Sequence, residues 1–193
     1  MSHYFRGGRK GEKKLIPLTI HGLTLEFISY SSLFSGSEVD KGTYLLLENI
    51  KVPEEGVVLD VGCGYGVIGI VVAKLNPKLK VYMVDINPLA VKVARENAKR
   101  NSVGDRVVVL QGDRYDPVKD MVFQAIYSNP PFSAGNEVVE DIILGAKKHL
   151  DKNGFAQFVI ARGRQYLVEK AREHYSIVKT INKKGYTILY VEP

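Results

Sequence analysis

From Lys14 onward, apolar residues recur in two rhythms that alternate along the chain. Short apolar-rich runs predict strands over residues 14–20, 23–28, 57–61, 80–84, 106–110, 121–127, 155–161, 177–181 and 186–191. Longer amphipathic stretches predict helices over 38–50, 67–75, 88–100, 136–150 and 166–174. Asn87-Pro88 supplies an N-cap and a first-turn proline for the third helix. His21-Gly22 reads as a hairpin turn, Asp151-Lys152-Asn153-Gly154 as a turn after the fourth helix, and Lys183-Lys184-Gly185 as the closing turn. Alternating strands and helices imply a parallel sheet with helices on both faces. The expected architecture is α/β: a mostly parallel, seven-stranded sheet with one antiparallel strand, preceded by an N-terminal β-hairpin. Ligands of such sheets bind beyond the carboxyl ends of the strands. Asp60, Asp85, Asp113, Asn129 and Ala161 all fall at those ends, which predicts one shared site.

The chain is organised around residues 57–69, Val-Val-Leu-Asp-Val-Gly-Cys-Gly-Tyr-Gly-Val-Ile-Gly. Three glycines at alternate positions let the backbone turn tightly with positive φ and approach a ligand. The helix that follows presents unpaired N–H groups. Two readings compete. Gly64-Tyr65-Gly66-Val67-Ile68-Gly69 fits the dinucleotide fingerprint. Asp60-x-Gly62-x-Gly64-x-Gly66 instead resembles the first motif of Rossmann-like S-adenosylmethionine (AdoMet) methyltransferases. A carboxylate inside the turn repels a pyrophosphate but suits the ammonium of a methionine moiety, which favours the second reading.

Asp85 follows Gly66 by 19 residues, where a carboxylate can accept both ribose hydroxyls or simply cap the next helix. Asp113 lies in Gly112-Asp113-Arg114, placed either to read an adenine amino group or to close an Asx-turn. Asn129-Pro130-Pro131-Phe132 is the second strong motif. Its prolines remove two N–H donors, leaving the Asn129 side-chain oxygen and the Pro130 carbonyl as acceptors for a planar exocyclic amine. Phe132 can stack on the ring that bears the amine.

Length and charge sharpen this picture. A chain of 193 residues reads as a single domain over 14–193, with an arm over 1–13. Residues 1–14 hold five basic residues against one acid, out of a total charge of +6. That arm reads equally as a contact for phosphates or as a solvated tail. One cysteine, Cys63, excludes an internal disulfide and a multi-cysteine zinc site, and no metal is expected. The longest apolar run lacking charge, Val61 to Ala73, is too short to span a bilayer, so a cytoplasmic protein with no membrane partner is expected.

The glycine corner together with Asn129-Pro130-Pro131-Phe132 resembles the AdoMet-dependent amino methyltransferases. Leu33-Phe34-Ser35 followed by Val39-Asp40-Lys41-Gly42-Thr43 resembles, more narrowly, the small-domain family of ribosomal RNA guanine-N2 methyltransferases and their single-domain archaeal-type homologues. The resemblance covers roughly residues 14–192. It implies AdoMet held by Lys41, Thr43, Asp60, Gly62, Cys63, Gly64, Asp85, Ile86, Asp113, Arg114 and Asn129. It implies a catalytic Asn129, Pro130 and Phe132, with Phe34, Pro131, Arg162 and Arg164 facing RNA. The larger bacterial enzymes of the group carry an extra N-terminal domain, where this chain has its basic arm. The implied activity is methylation of an exocyclic base amine, guanine-N2 of ribosomal RNA first, with transfer RNA as another possible substrate. A protein glutamine methyltransferase, an adenine amino methyltransferase and an inactive binding module are the alternatives.

Overall fold

The computed structural model describes residues 11–35 and 37–193, so most of the basic arm lies outside the described residues. Strands β1 (Lys13–Ile20) and β2 (Leu23–Tyr30) pair as a separate two-stranded sheet. Their turn places His21 at φ 49° and Gly22 at φ 76°. Two left-handed residues in succession match the right-handed twist of the strands they join. The His21 Nε2–H donates to the Leu47 carbonyl at 2.6 Å, tying the turn to helix α1 (Lys41–Glu48). That helix starts three residues later than the apolar pattern predicts, because Asp40 caps it, accepting the Thr43 N–H at 2.9 Å.

The main sheet follows: β3 (Gly56–Val61), α2 (Val67–Leu75), β4 (Leu79–Asp85), α3 (Pro88–Arg100), β5 (Val107–Gln111), β6 (Phe123–Ser128), α4 (Asn136–Gly145), β7 (Leu150–Ala161), α5 (Tyr166–His174), β8 (Ile177–Lys183) and β9 (Tyr186–Glu192). The strand order is β5-β4-β3-β6-β7-β9-β8. Only β9 runs against the others, pairing antiparallel with both β7 and β8. Between β3 and β6 the winding direction reverses, opening a crevice at their carboxyl ends. The first hairpin, α1, α2 and α3 pack on one face of the sheet, and α4 and α5 on the other. Among the described residues no helix is long and apolar enough to cross a membrane.

One turn behaves differently from expectation. The predicted fourth helix ends at Gly145, a short 3-10 turn covers Ala146–His149, and β7 begins at Leu150. The pairing then jumps from Phe123↔Leu150 to Ala125↔Phe155. Asp151-Lys152-Asn153-Gly154 therefore forms a bulge inside the strand, closed by the Asn153 N–H on Asp151 Oδ1 at 3.0 Å. The turn chemistry is real, but strand pairing resumes on both sides of it.

Two asparagines weld the hairpin to the sheet. On α3, Asn97 accepts the Ile28 N–H at 2.7 Å and donates to the carbonyls of Ile28 and Tyr65, both at 2.8 Å. One turn further, Asn101 pairs both ways with the backbone of Glu26. Their side-chain amides thus act as a partner for β2 and hold the glycine corner through Tyr65. Asn97→Ala leaves three buried backbone groups unpaired, so it is expected to destabilise the fold by about 2–4 kcal/mol in urea unfolding.

Candidate active site

At the carboxyl edge of the sheet lies a cleft of about 360 Å³. One end is walled by Gly62, Gly64, Asp85, Ile86, Asp113 and Arg114, and the other by Asn129, Pro130, Pro131, Phe132 and Phe34. A smaller hollow of about 40 Å³ continues it between Thr43, Cys63 and Asn129.

The glycine corner is built as its sequence requires. Gly62, Gly64 and Gly66 have φ of 69°, 55° and 95°. A Cβ on Gly66 would press on Ile70, Met83 and Ala94, and one on Gly69 would lie 2.4 Å from the Met83 sulfur. α2 therefore sits against the sheet closely enough for its Gly69 N–H to reach Asp60 Oδ2 at 2.9 Å. Asp60 is fully buried, and its other oxygen, Oδ1, has no hydrogen-bond partner among the described residues. Burial raises its carboxyl from the ordinary 3.8 to about 7; the Gly69 N–H opposes this and the Asp85 charge adds to it. Asp60 is not among the residues lining the cleft, so its reach into the cleft is electrostatic. A cation in the cleft would relieve both buried carboxylates, and a sulfonium–ammonium cofactor brings such charge.

The sign of the pH effect follows. Between about pH 4 and pH 7 the folded chain holds a proton on Asp60 that the unfolded chain has lost. The stability from this group is present at low pH and lost as pH rises through about 7. In cofactor-free protein, Asp60→Asn is expected to flatten the fall in melting temperature between pH 5 and pH 8.

Asp85 is also buried, and its two oxygens accept the N–H groups of Gly64 and Asn87, both at 2.8 Å. These bonds fix the carboxylate at the cleft wall. Asp113 faces Arg114, whose Nη2 donates to it at 2.8 Å and whose Nη1 reaches Asp141 on α4. Arg114 thereby ties the loop after β5 to α4 at this end of the cleft. Cys63 is buried, and its thiol is pushed well above its ordinary range by burial and by the charges of Asp85 and Asp60. A thiol held this way stays protonated, unlike the activated thiolate of a nucleophilic cysteine.

Asn129 carries the most informative geometry. Its Nδ2 donates to Asp40 Oδ2 at 2.8 Å and to Thr43 Oγ1 at 2.9 Å. Both amide hydrogens are thus spent, so the orientation of the amide is fixed and Oδ1 is the atom left to accept. Gly42 permits this: a Cβ there would lie 2.7 Å from Val159 Cγ1 and 3.0 Å from Asp40 Oδ2. Without a side chain, the first turn of α1 settles against β7 and delivers Asp40 and Thr43 to Asn129.

The remaining sequence candidates divide. Phe34 lines the cleft while 58% exposed. Ile86, Pro130, Pro131 and Phe132 line it too. Arg164 lies with its guanidinium 5.0 Å from the centre of the Phe132 ring, a cation–π contact with the turn after β6. Lys41 is exposed and away from the cleft walls, and Arg162 lines a separate surface groove. Thr43 lines the smaller hollow, with its hydroxyl committed to Asn129. Asn97, which steadies the corner through Tyr65, carries no motif that the sequence would reveal.

Cofactor corner and amide turn, meeting where the sheet reverses, define a Rossmann-like methyltransferase of the AdoMet-dependent class. The family model for the methyltransferase small domain matches residues 24–190, and the chain belongs to that family. It is 35% identical over 194 residues to an uncharacterised protein of Bacillus subtilis (strain 168), YbxB, covering 97% of this chain and 96% of that one. It is also 35% identical to ribosomal RNA small subunit methyltransferase C of Haemophilus influenzae (strain ATCC 51907 / DSM 11121 / KW20 / Rd), over 86% of this chain and 50% of that protein. The chain thus spans about half the length of the methyltransferase C relatives. Among solved structures, the fold matches the T. thermophilus 16S rRNA N2 G1207 methyltransferase (RsmC), in complex with AdoMet and guanosine. The TM-score is 0.81 at 23% identity, covering 93% of this chain and 50% of that one. A methyltransferase from Pyrococcus furiosus matches with TM-score 0.71 and 22% identity, over 90% of both chains.

Proposed function

We propose that this chain methylates the exocyclic amine of a guanine in RNA, with ribosomal RNA the favoured substrate. The observation that carries the reading is the Asn129 amide, locked by Asp40 and Thr43 so that its oxygen alone remains to accept. An exocyclic amine is a weak nucleophile, because its lone pair is delocalised into the ring. Asn129 Oδ1 and the Pro130 carbonyl would accept its two hydrogens and favour the pyramidal nitrogen that attacks a methyl group. Phe132 would hold the base plane by stacking, with Phe34 covering the mouth. Catalysis here is positioning and hydrogen-bond acceptance, with the acceptors preorganised before substrate arrives.

AdoMet supplies an electrophilic methyl group on a sulfonium. Asp60 would offset its positive charge, Gly62, Cys63 and Gly64 would line it with backbone, and Asp85 would take the ribose hydroxyls. Ile86, Asp113 and Arg114 would enclose the adenine. Relatives named as ribosomal RNA small subunit methyltransferase C support RNA as the substrate, and the guanosine in the T. thermophilus structure supports guanine. Incubating the protein with tritiated AdoMet and total RNA, DNA and protein tests the substrate class: label is expected in RNA. Label in protein alone would move the reading to a glutamine side-chain amide.

A further inference from the structure

The carboxyl edge of the sheet is divided at Asn129. On one side the ends of β3, β4 and β5 carry the cofactor corner. On the other side, the ends of β7 and β8 and the start of β9 form a groove with no carboxylate among the described residues that line it. That groove is lined by Arg162, Gln165, Asn182, Lys183, Lys184 and Tyr186, among others. Three of these are cations. Arg162 is exposed, in the loop between β7 and α5. Lys184 sits at φ 52° in the turn of the last hairpin, which projects its neighbours from the sheet edge. Lys183 pairs with Glu48 at 3.7 Å, with both side chains partly solvated, so that pair is weak.

We propose that this groove is the track for the phosphate backbone of single-stranded RNA leading to the catalytic turn, an inference that rests on the RNA reading above. Three observations place it. The groove begins at Arg162, two residues before Arg164, whose guanidinium lies on Phe132. Its wall Tyr186 abuts Gly42, beside the Asp40 and Thr43 that hold Asn129. From β6, which delivers Asn129, β8 is three strand intervals away, or about 14 Å at the usual spacing. A short stretch of RNA spans that distance while its target base enters the cleft. Arginine and lysine at such a site contact phosphates and set position, without reading sequence.

The test uses the full chain and a fluorescent, sequence-randomised single-stranded RNA, with anisotropy measured over a range of salt. Lys183→Ala/Lys184→Ala, alone and with Arg162→Ala, is compared with Lys78→Ala/Lys152→Ala on the opposite edge of the sheet. Each lost phosphate contact is expected to reduce the slope of log affinity against log salt by about 0.7. The double variant should therefore lose about 1.4 in slope and about tenfold or more in affinity at low salt, and the triple variant more. AdoMet affinity and melting temperature should stay as in wild type, and the control pair should bind RNA as wild type does. An unchanged slope in the groove variants, an equal loss in the control pair, or no RNA binding by wild type overturns the groove. Tritium transfer to RNA by wild type is scored separately, so the groove can fail while the RNA reading stands.

Discussion

Asn129→Ala is expected to lower turnover by about a hundred- to a thousandfold, the range for losing a preorganised hydrogen-bonding group at a reacting centre. AdoMet affinity, measured by calorimetry, should stay within about threefold of wild type, because that side of the cleft is built from the β3, β4 and β5 ends. The contrast arises from the amide's position. Its hydrogens are held by Asp40 and Thr43, which leaves its oxygen to accept from the proposed amine. Substitution by alanine also strands the buried Thr43 hydroxyl and leaves Asp40 Oδ2 with the Thr43 N–H alone, so a melting curve belongs beside the kinetics. A loss of AdoMet binding equal to the loss of turnover would assign Asn129 to the cofactor alone.

Thr43→Val is the second large effect. Valine keeps the shape of threonine but removes the oxygen that accepts one Asn129 hydrogen. An amide with a free hydrogen can turn, and its oxygen then faces the cleft for only part of the time. About tenfold to a hundredfold loss of kcat is expected, corresponding to roughly 1.4–2.7 kcal/mol of lost transition-state stabilisation. KM should change little, since the base is gripped mainly by stacking. Thr43→Ser restores the acceptor and should restore kcat, which loss of packing alone would not predict. The Asn129 side-chain amide resonances give a readout that needs no substrate: they should shift in Thr43→Val and return in Thr43→Ser. Resonances that do not move would show that Thr43 does not hold the amide.

The parts of the site that were legible in the sequence are those whose chemistry is local. Alternating glycines fix a turn from Gly62 to Gly66 because each needs positive φ. Consecutive prolines after Asn129 mark a rigid turn for the same kind of reason. Strand ends could be read because Asp85 and Gln111 close their apolar runs, and β4 and β5 end at those residues. What escaped is long-range. Asp40 and Thr43 form an evident helix start, but their contact with Asn129 spans 89 and 86 residues. Neither residue type nor spacing announces it. The resemblance places Thr43 among the cofactor-binding residues, and nothing local in the sequence shows that its hydroxyl also accepts an Asn129 hydrogen. Asn97 looks like any polar residue on a helix, until β2 is seen to lie against it with unpaired backbone groups. The residues of the Asp151–Gly154 bulge read as a chain turn because local chemistry cannot reveal that β6 pairs on both sides of it.

Cofactor corner and acceptor turn matter only if they meet on one atom, and the position of the transferred methyl reports that atom. RNA methylated in vitro with deuterated-methyl AdoMet, digested to nucleosides and analysed by mass spectrometry, is expected to carry the label on the exocyclic nitrogen of guanine. A label found instead on a ring nitrogen, a ring carbon or the ribose 2′-oxygen would contradict the role given to Asn129 and the account built on it.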